Sequence, residues 1–255
     1  MIKVDLNSDL GESFGRYSLG SDDNIIPLIS SANVACGFHA SDPVVMKNTI
    51  KLAKESNIGI GAHPGFPDLM GFGRRKMDIT SEEAFSYTMY QIGALYSFCK
   101  SEKVRLSHVK PHGAFYNMAA EDYDLSKAIC EAIYKFDKNI ILLGRSNSML
   151  IKAAEDTGLK AASEVFADRA YEENGALVSR KKSGAMITDE DEAIKRVIRM
   201  IKEGKVKSIT GKDISIKADS ICVHGDGQNA LNFVKRIRKE LTDEGIKICS
   251  LSDMF

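Results

Sequence analysis

Seven short apolar runs, spread along the chain and mostly separated by amphipathic segments, constrain this fold more than any other feature. They lie at residues 2–6, 31–36, 58–62, 106–110, 140–143, 161–166 and 220–224. Several are apolar on both faces, as strands are when helices cover a parallel sheet. Start signals mark the helices between them. Asp42 before Pro43 reads as an N-cap and first helical residue. Thr80 with Glu83 reads as a capping box for a helix reaching about residue 103. Thr188 opens a helix that stops at Gly204, and the last helix spans about 229–244 before Gly245. Repeated strand–helix units imply an α/β fold, with a parallel sheet closed into a barrel or doubly wound. Residues 246–251 (IKICSL) leave the strand count at seven or eight.

No Pro/Ser-rich linker or fixed-period repeat divides the chain, so one domain over residues 1–255 is expected. Hydrophobic residues make up 44% of the chain, enough for a substantial core. Two stretches break the rhythm. Residues 167–187 are a long, basic, irregular insertion, and 206–217 read as a hairpin around Gly211. Long insertions of this kind commonly cover sites.

Lys plus Arg balance Asp plus Glu at 35 each, which gives no electrostatic reason to expect nucleic acid or an anionic membrane as partner. The start MIKVDLNSDLGE lacks the apolar segment of a signal peptide. No apolar run approaches the roughly 18 residues of a membrane span. The five cysteines are widely spaced and form no C-x-x-C pair, so reduced thiols and a cytoplasmic location are expected, without a zinc–cysteine site.

The chemistry gathers where the apolar runs end. The first leads into Asn7, Asp9 and Glu12, the second into His39 and Asp42, and the third into His63, with Asp68, Arg74 and Arg75 beyond. The fourth leads into Lys110 and His112, the sixth carries Glu164, Asp168 and Arg169, and the seventh runs into His224 and Asp226. Parallel α/β folds place the carboxyl ends of their strands on one face, where active sites are built. Convergence of these groups on one cleft is therefore expected. Singly, each has a plainer reading: Asp42 as a helix cap, Glu12 as a surface residue, the arginine pair as solvated, a histidine as hydrogen-bonded core. His108 falls inside its strand and reads as structural, and the aromatics of residues 85–98 occupy helical core spacing. Phosphate-loop, dinucleotide-binding and serine-elbow motifs are missing. What remains suits general acid–base chemistry or a divalent metal, with Asp9, His39 and His63 as the candidate ligands.

The segments DLNSDLGE, SANVACGFHASDP, GAHPGFPDLMGFGRR, VKPHGAFYN, EVFADRAY and ICVHGD closely resemble the LamB/YcsF family, whose members are also known as the A component of 5-oxoprolinase. The resemblance runs from residue 2 to about 226. It departs at Ser8, Ser41, Phe115 and the run Gly227-Gln228-Asn229, which puts the detail of the last loop in question. The resemblance implies a distorted β/α barrel similar to that of polysaccharide deacetylases and some glycoside hydrolases. It also implies one subunit of an ATP-dependent enzyme, with Mg²⁺ and two partner subunits, B and C, that cleaves the lactam of 5-oxoproline to L-glutamate. In that setting Asp9, Glu12 and Glu164 are candidate bases, and Lys110, His112 and Arg169 candidate donors to oxygen or phosphate. Asn7, His39, His63, Arg74, Arg75, Asp168, Arg169, His224 and Asp226 are candidate substrate contacts. Arg180, Lys181, Lys182 and the hairpin at Gly211 are candidate docking elements. The rival readings are a metal-dependent deacetylase-like amidohydrolase and a non-catalytic subunit that presents the substrate.

Overall fold

Strands mostly alternate with helices, and the strands of the main sheet pair in parallel. The computed structural model describes residues 1–223 and 228–255. Its elements are β1 (Lys3–Leu10), α1 (Asp22–Ile25), β2 (Ser31–Ala35), α2 (Pro43–Glu55), β3 (Gly59–His63), α3 (Ser81–Glu102), β4 (Leu106–Val109), α4 (Gly113–Ala119) and α5 (Tyr123–Phe136). They continue with β5 (Ile141–Arg145), α6 (Met149–Thr157), β6 (Ala161–Phe166), α7 (Glu190–Glu203), β7 (Lys205–Lys207), β8 (Asp213–Ser215), β9 (Ser220–Cys222), α8 (Gln228–Asp243) and β10 (Lys247–Ile248). Strands β1 to β6 and β9 close into a seven-stranded parallel barrel, because β9 pairs with both β6 and β1. Strand β10 is the eighth. It pairs with Lys3 and Val4 at the start of β1, below the point where β9 takes over at Asp5. β7 and β8 form the antiparallel hairpin around Gly211.

The helix signals carry through. Asp42 caps α2 by accepting from the Val44 and Val45 amides at 2.8 and 3.1 Å. Both halves of the Thr80–Glu83 capping box are present. α7 is capped by Asp189, one residue later than expected, and ends at left-handed Gly204. The greater difference is β1, which runs to Leu10 rather than stopping near residue 6. Asn7 and Asp9 are therefore in-strand residues. Their polar character comes from the barrel's interior and not from a loop.

Alternation along β1 explains this. Val4, Leu6 and Leu10 belong to the apolar core built from the strands and the helices around them, which also includes Ile50, Ile92, Leu95 and Ile129. Fully burying such a side chain contributes roughly 1.5–3 kcal/mol, so this shell holds the fold together. The odd positions make polar contacts across the barrel. Asp5 accepts from the hydroxyls of Ser30, Ser31 and Ser220. Asn7 donates to Ser220 Oγ at 2.8 Å and accepts from Asn33 Nδ2 at 2.8 Å. His108 pairs with Asn33 Oδ1 through Nε2 at 2.8 Å and with Ser107 Oγ through Nδ1 at 2.7 Å. It is structural, as its in-strand position implied. Its ring fills the space that Gly61 leaves: a Cβ on Gly61 would lie 2.1 Å from His108 Nε2.

Asp5 gives this interior a pH signature. Burial pushes its pKa up to about 6 from the ordinary 3.8; the three hydroxyls pull it down and the Glu164 charge adds to the rise. A carboxyl raised on folding stabilises the native state fully below its unfolded pKa and loses that contribution as pH climbs through its folded pKa. The window is therefore about pH 4 to 6, and the loss is roughly 3 kcal/mol. The unfolding free energy of Asp5→Asn minus that of wild type should rise by about this amount across the window in denaturant titrations. A pH-independent difference would show that Asp5 does not titrate there.

Candidate active site

The upper ends of β1, β3, β4, β6 and β9 surround a cavity of about 260 Å³. Asp9, His63, Lys110, Tyr116, Phe166 and Cys222 line it from the barrel side, and Arg74, Arg169 and Arg180 from the loops. A volume of this size suits a ligand smaller than a typical drug-like molecule. A larger surface groove along α7 is lined by charges such as Arg199, which is bonded to Asp213 at 2.7 Å, and holds none of the expected acid–base groups.

Lys110 organises the floor. The backbone after β4 carries it under the cavity, where only 3% of the residue is exposed. Its ammonium lies 2.8 Å from Glu164 Oε1, 3.0 Å from Asp9 Oδ1 and 3.2 Å from Asn7 Oδ1. Burial alone would lower its pKa, but the neighbouring Asp9 and Glu164 carboxylates outweigh burial and hold it well above the ordinary lysine value. It is a fixed cation, not a base. Glu164 is fully buried and also accepts from the Tyr116 hydroxyl at 2.5 Å. Burial, then the Glu164 charge, keeps that phenol protonated. Burial would raise the Asp9 pKa, yet His63 and Lys110 together hold it well below the usual carboxylate range. Asp9 is thus ionised, with Oδ1 engaged by Lys110 and by Asn33 at 2.9 Å. Its Oδ2 faces His63 Nε2 at 3.3 Å.

Three histidines stand together beside this floor. His63 ends β3 and donates through Nδ1 to the Lys110 carbonyl at 2.7 Å. His112 caps α4 and donates through Nε2 to the Phe72 carbonyl at 2.9 Å. His39 follows β2 and stacks on His112, with ring centroids 3.7 Å apart and planes 2° from parallel. Gly73 adopts φ +60° and passes so close that a Cβ would lie 2.7 Å from His39 Cβ and 2.9 Å from His112 Cδ2. Burial pushes His112 down to about 3 and His39 well below its ordinary value, so both imidazoles are neutral at pH 7. Glu12 reaches back from the turn after β1, with Oε1 3.3 Å from His39 Nε2 and 3.7 Å from His112 Nδ1.

The expected groups thus separate by position. Asp9, His63, Lys110, Arg74 and Arg169 line the cavity. Asn7 and Glu164 lie beneath it, held by Lys110. His39, His112 and Glu12 form a cluster against His63, in its wall. Arg75 turns away to pair with Asp68, with Nε 3.0 Å from both carboxylate oxygens. Asp168 leads into the insertion and does not line the cavity. His224 and Asp226 lie outside the described residues. Glu12, His39, His63 and His112 each offer one ligand atom within 4.8 Å of the others, so Glu12 and His112 join the metal-ligand candidates expected from sequence.

Cavity or support residues not expected at the site from the sequence include Asn33, Tyr116, Phe166, Arg180 and Cys222. The motif VKPHGAFYN contains Tyr116 one helical turn after His112, a spacing that could have exposed it. Arg180, expected as a docking residue, lines the cavity.

The profile of the LamB/YcsF family matches residues 4–255. The chain belongs to the LamB/YcsF family. It is 62% identical over 255 residues, covering all of both chains, to the A component of 5-oxoprolinase from Clostridium beijerinckii. Among solved structures it resembles a lactam utilization protein from Thermus thermophilus, with a TM-score of 0.93 and 42% identity over 98% of this chain and all of that one. A T48 deacetylase shares only the fold, with a TM-score of 0.52 and 13% identity over all of this chain and 90% of that one. No helix among the described residues is long and apolar enough to cross a membrane.

Proposed function

We propose that this chain is the lactam-opening subunit of an ATP-dependent 5-oxoprolinase, acting on 5-oxoproline together with two partner subunits, B and C. The observation that carries the reading is the ionised Asp9 beside the fixed Lys110 ammonium on the floor of a small cavity, with three arginines along its walls. The names of the relatives supply the substrate class.

A lactam is an unactivated amide, so its opening needs activation of the carbonyl, a base for water and charge stabilisation. The lactam oxygen takes the terminal phosphoryl group of ATP, which accompanies Mg²⁺, and ADP leaves. Water adds to the activated carbon and gives its proton to Asp9. The C–N bond then breaks, the ring nitrogen takes up a proton, and the product is an acyl phosphate. A second water releases phosphate and leaves L-glutamate. Lys110 faces the developing oxygen charge, while Glu164 and Tyr116 hold Lys110 in place. Arg74, Arg169 and Arg180 receive the ring carboxylate. Arg169 is 8% exposed and spends one guanidinium nitrogen on the Val178 carbonyl at 2.7 Å.

Nothing in the chain resembles a phosphate-cradling loop. The purified chain with ATP, magnesium and 5-oxoproline is therefore expected to release negligible glutamate, and adding the B and C partners should restore release of glutamate and phosphate. Full turnover by the chain alone would refute the shared-enzyme reading. Absence of glutamate from the complete mixture would refute the lactam reading.

A further inference from the structure

Beside the cavity, ring nitrogens of two histidines and a carboxylate oxygen face one another. The Nδ1 hydrogen of His63 is committed to the Lys110 carbonyl and the Nε2 hydrogen of His112 to the Phe72 carbonyl. In neutral rings the remaining nitrogens, His63 Nε2 and His112 Nδ1, are lone pairs. They lie 2.9 Å apart. Asp9 Oδ2 stands 3.3 Å from His63 Nε2, and Glu12 Oε1 stands 3.7 Å from His112 Nδ1. Glu12, His63 and His112 offer ligand atoms within 4.8 Å of one another, so three acceptors converge, and such a group is costly unless a proton or a metal ion joins them.

We propose that His63 Nε2, His112 Nδ1 and Glu12 Oε1 bind one divalent transition-metal ion, and that His39 orients Glu12 without touching the ion. Two nitrogens about 2.1 Å from one ion, at right angles, lie about 3.0 Å apart, close to the observed 2.9 Å. The two rings are also nearly perpendicular, at 87°, so one point can lie in both ring planes as ligation requires. His39 fails that test. Its ring is parallel to His112, so an ion in the plane of one ring lies outside the plane of the other. Its Nε2 instead faces Glu12 Oε1 at 3.3 Å, the place of a partner that aims a carboxylate ligand. Two imidazoles with one carboxylate suit zinc, manganese or iron. Bound there, the ion supplies a Lewis acid at the cavity wall.

The rival occupant is a proton shared by His63 and His112. The test needs neither substrate nor partner, so it stands apart from the proposed reaction. The full chain is stripped with chelator and dialysed. Zinc is then titrated calorimetrically, and manganese(II) is added for electron spin-echo spectroscopy. One zinc per chain and two coupled imidazole nitrogens are expected in the wild type. His112→Ala should lose one nitrogen coupling, whereas His39→Ala should keep both. Lack of stoichiometric zinc uptake, or fewer than two nitrogens coupled in the wild type, overturns the proposal even if a variant fails to fold. Loss of a nitrogen in His39→Ala but not in His112→Ala overturns the ligand assignment.

Discussion

Asp9→Asn is expected to lower ATP-dependent glutamate release by the assembled enzyme about 10²–10⁴-fold, the usual contribution of one acid–base group. The fold should survive. The amide oxygen can still accept from Lys110 and Asn33, which now hold Asp9 Oδ1 at 3.0 and 2.9 Å. The amide nitrogen replaces Oδ2 opposite His63 Nε2, where it can donate. Lys110 keeps Glu164 as its counter-charge at 2.8 Å. The charge is removed while the hydrogen bonds remain. Steady-state rates and thermal melting on the same preparation test this. Near-normal turnover would remove Asp9 from the mechanism, and parallel losses of melting temperature and rate would make it a positioning residue. Lys110→Ala is the poorer experiment, because it takes the shared cation from Asp9 and from the fully buried Glu164 and so mixes folding with chemistry.

Gly61→Ala should destabilise the barrel severely, although residue 61 does not itself line the cavity. Its new methyl would sit 2.1 Å from His108 Nε2, inside the imidazole's own volume. His108 must then leave Asn33, and Asn33 in turn supports Asn7 and Asp9. Overpacking and unpaired buried polar groups each cost about 1–3 kcal/mol, so a loss on the order of 3 kcal/mol or more is expected by denaturant titration. His108→Ala made together with Gly61→Ala should recover part of it. A loss below about 1 kcal/mol would mean that the interior can shift to absorb a methyl group.

The order of strands and helices was legible because the strand residues beneath the helices are apolar and the helix caps are local signals. Asp42, Thr80 with Glu83, and Gly204 each act within a few residues of themselves. The extent of β1 was not legible. A barrel with a polar interior places Asp5, Asn7 and Asp9 on alternate strand positions, and in one dimension such a strand looks like a strand ending in a polar loop. Convergence of Asp9, His63 and Lys110 could be anticipated from their positions at strand ends. The separation of His39 and His112 from the cavity could not, because it depends on ring stacking between segments 73 residues apart. Tyr116 was hidden for a similar reason: its partner Glu164 is 48 residues away. Arg180 looked like surface charge because the path of an irregular insertion leaves no periodic trace. Arg75 looked like a substrate contact because its pairing with Asp68 depends on the fold of the loop between them.

The double engagement of β1 bears on how the chain acquires its shape during synthesis. The Ser220–Asp5 hydrogen bond spans 215 residues, and β10 joins the same strand lower down. The first strand made must therefore wait, with one edge unpaired, for almost the last strands made. Contacts this distant in sequence form slowly, and an open parallel edge can pair wrongly in the meantime. A nascent chain halted before residue 220 should remain protease-sensitive and prone to self-association, however many of its helices have formed. Ring closure, rather than helix formation, then sets when the cavity first exists.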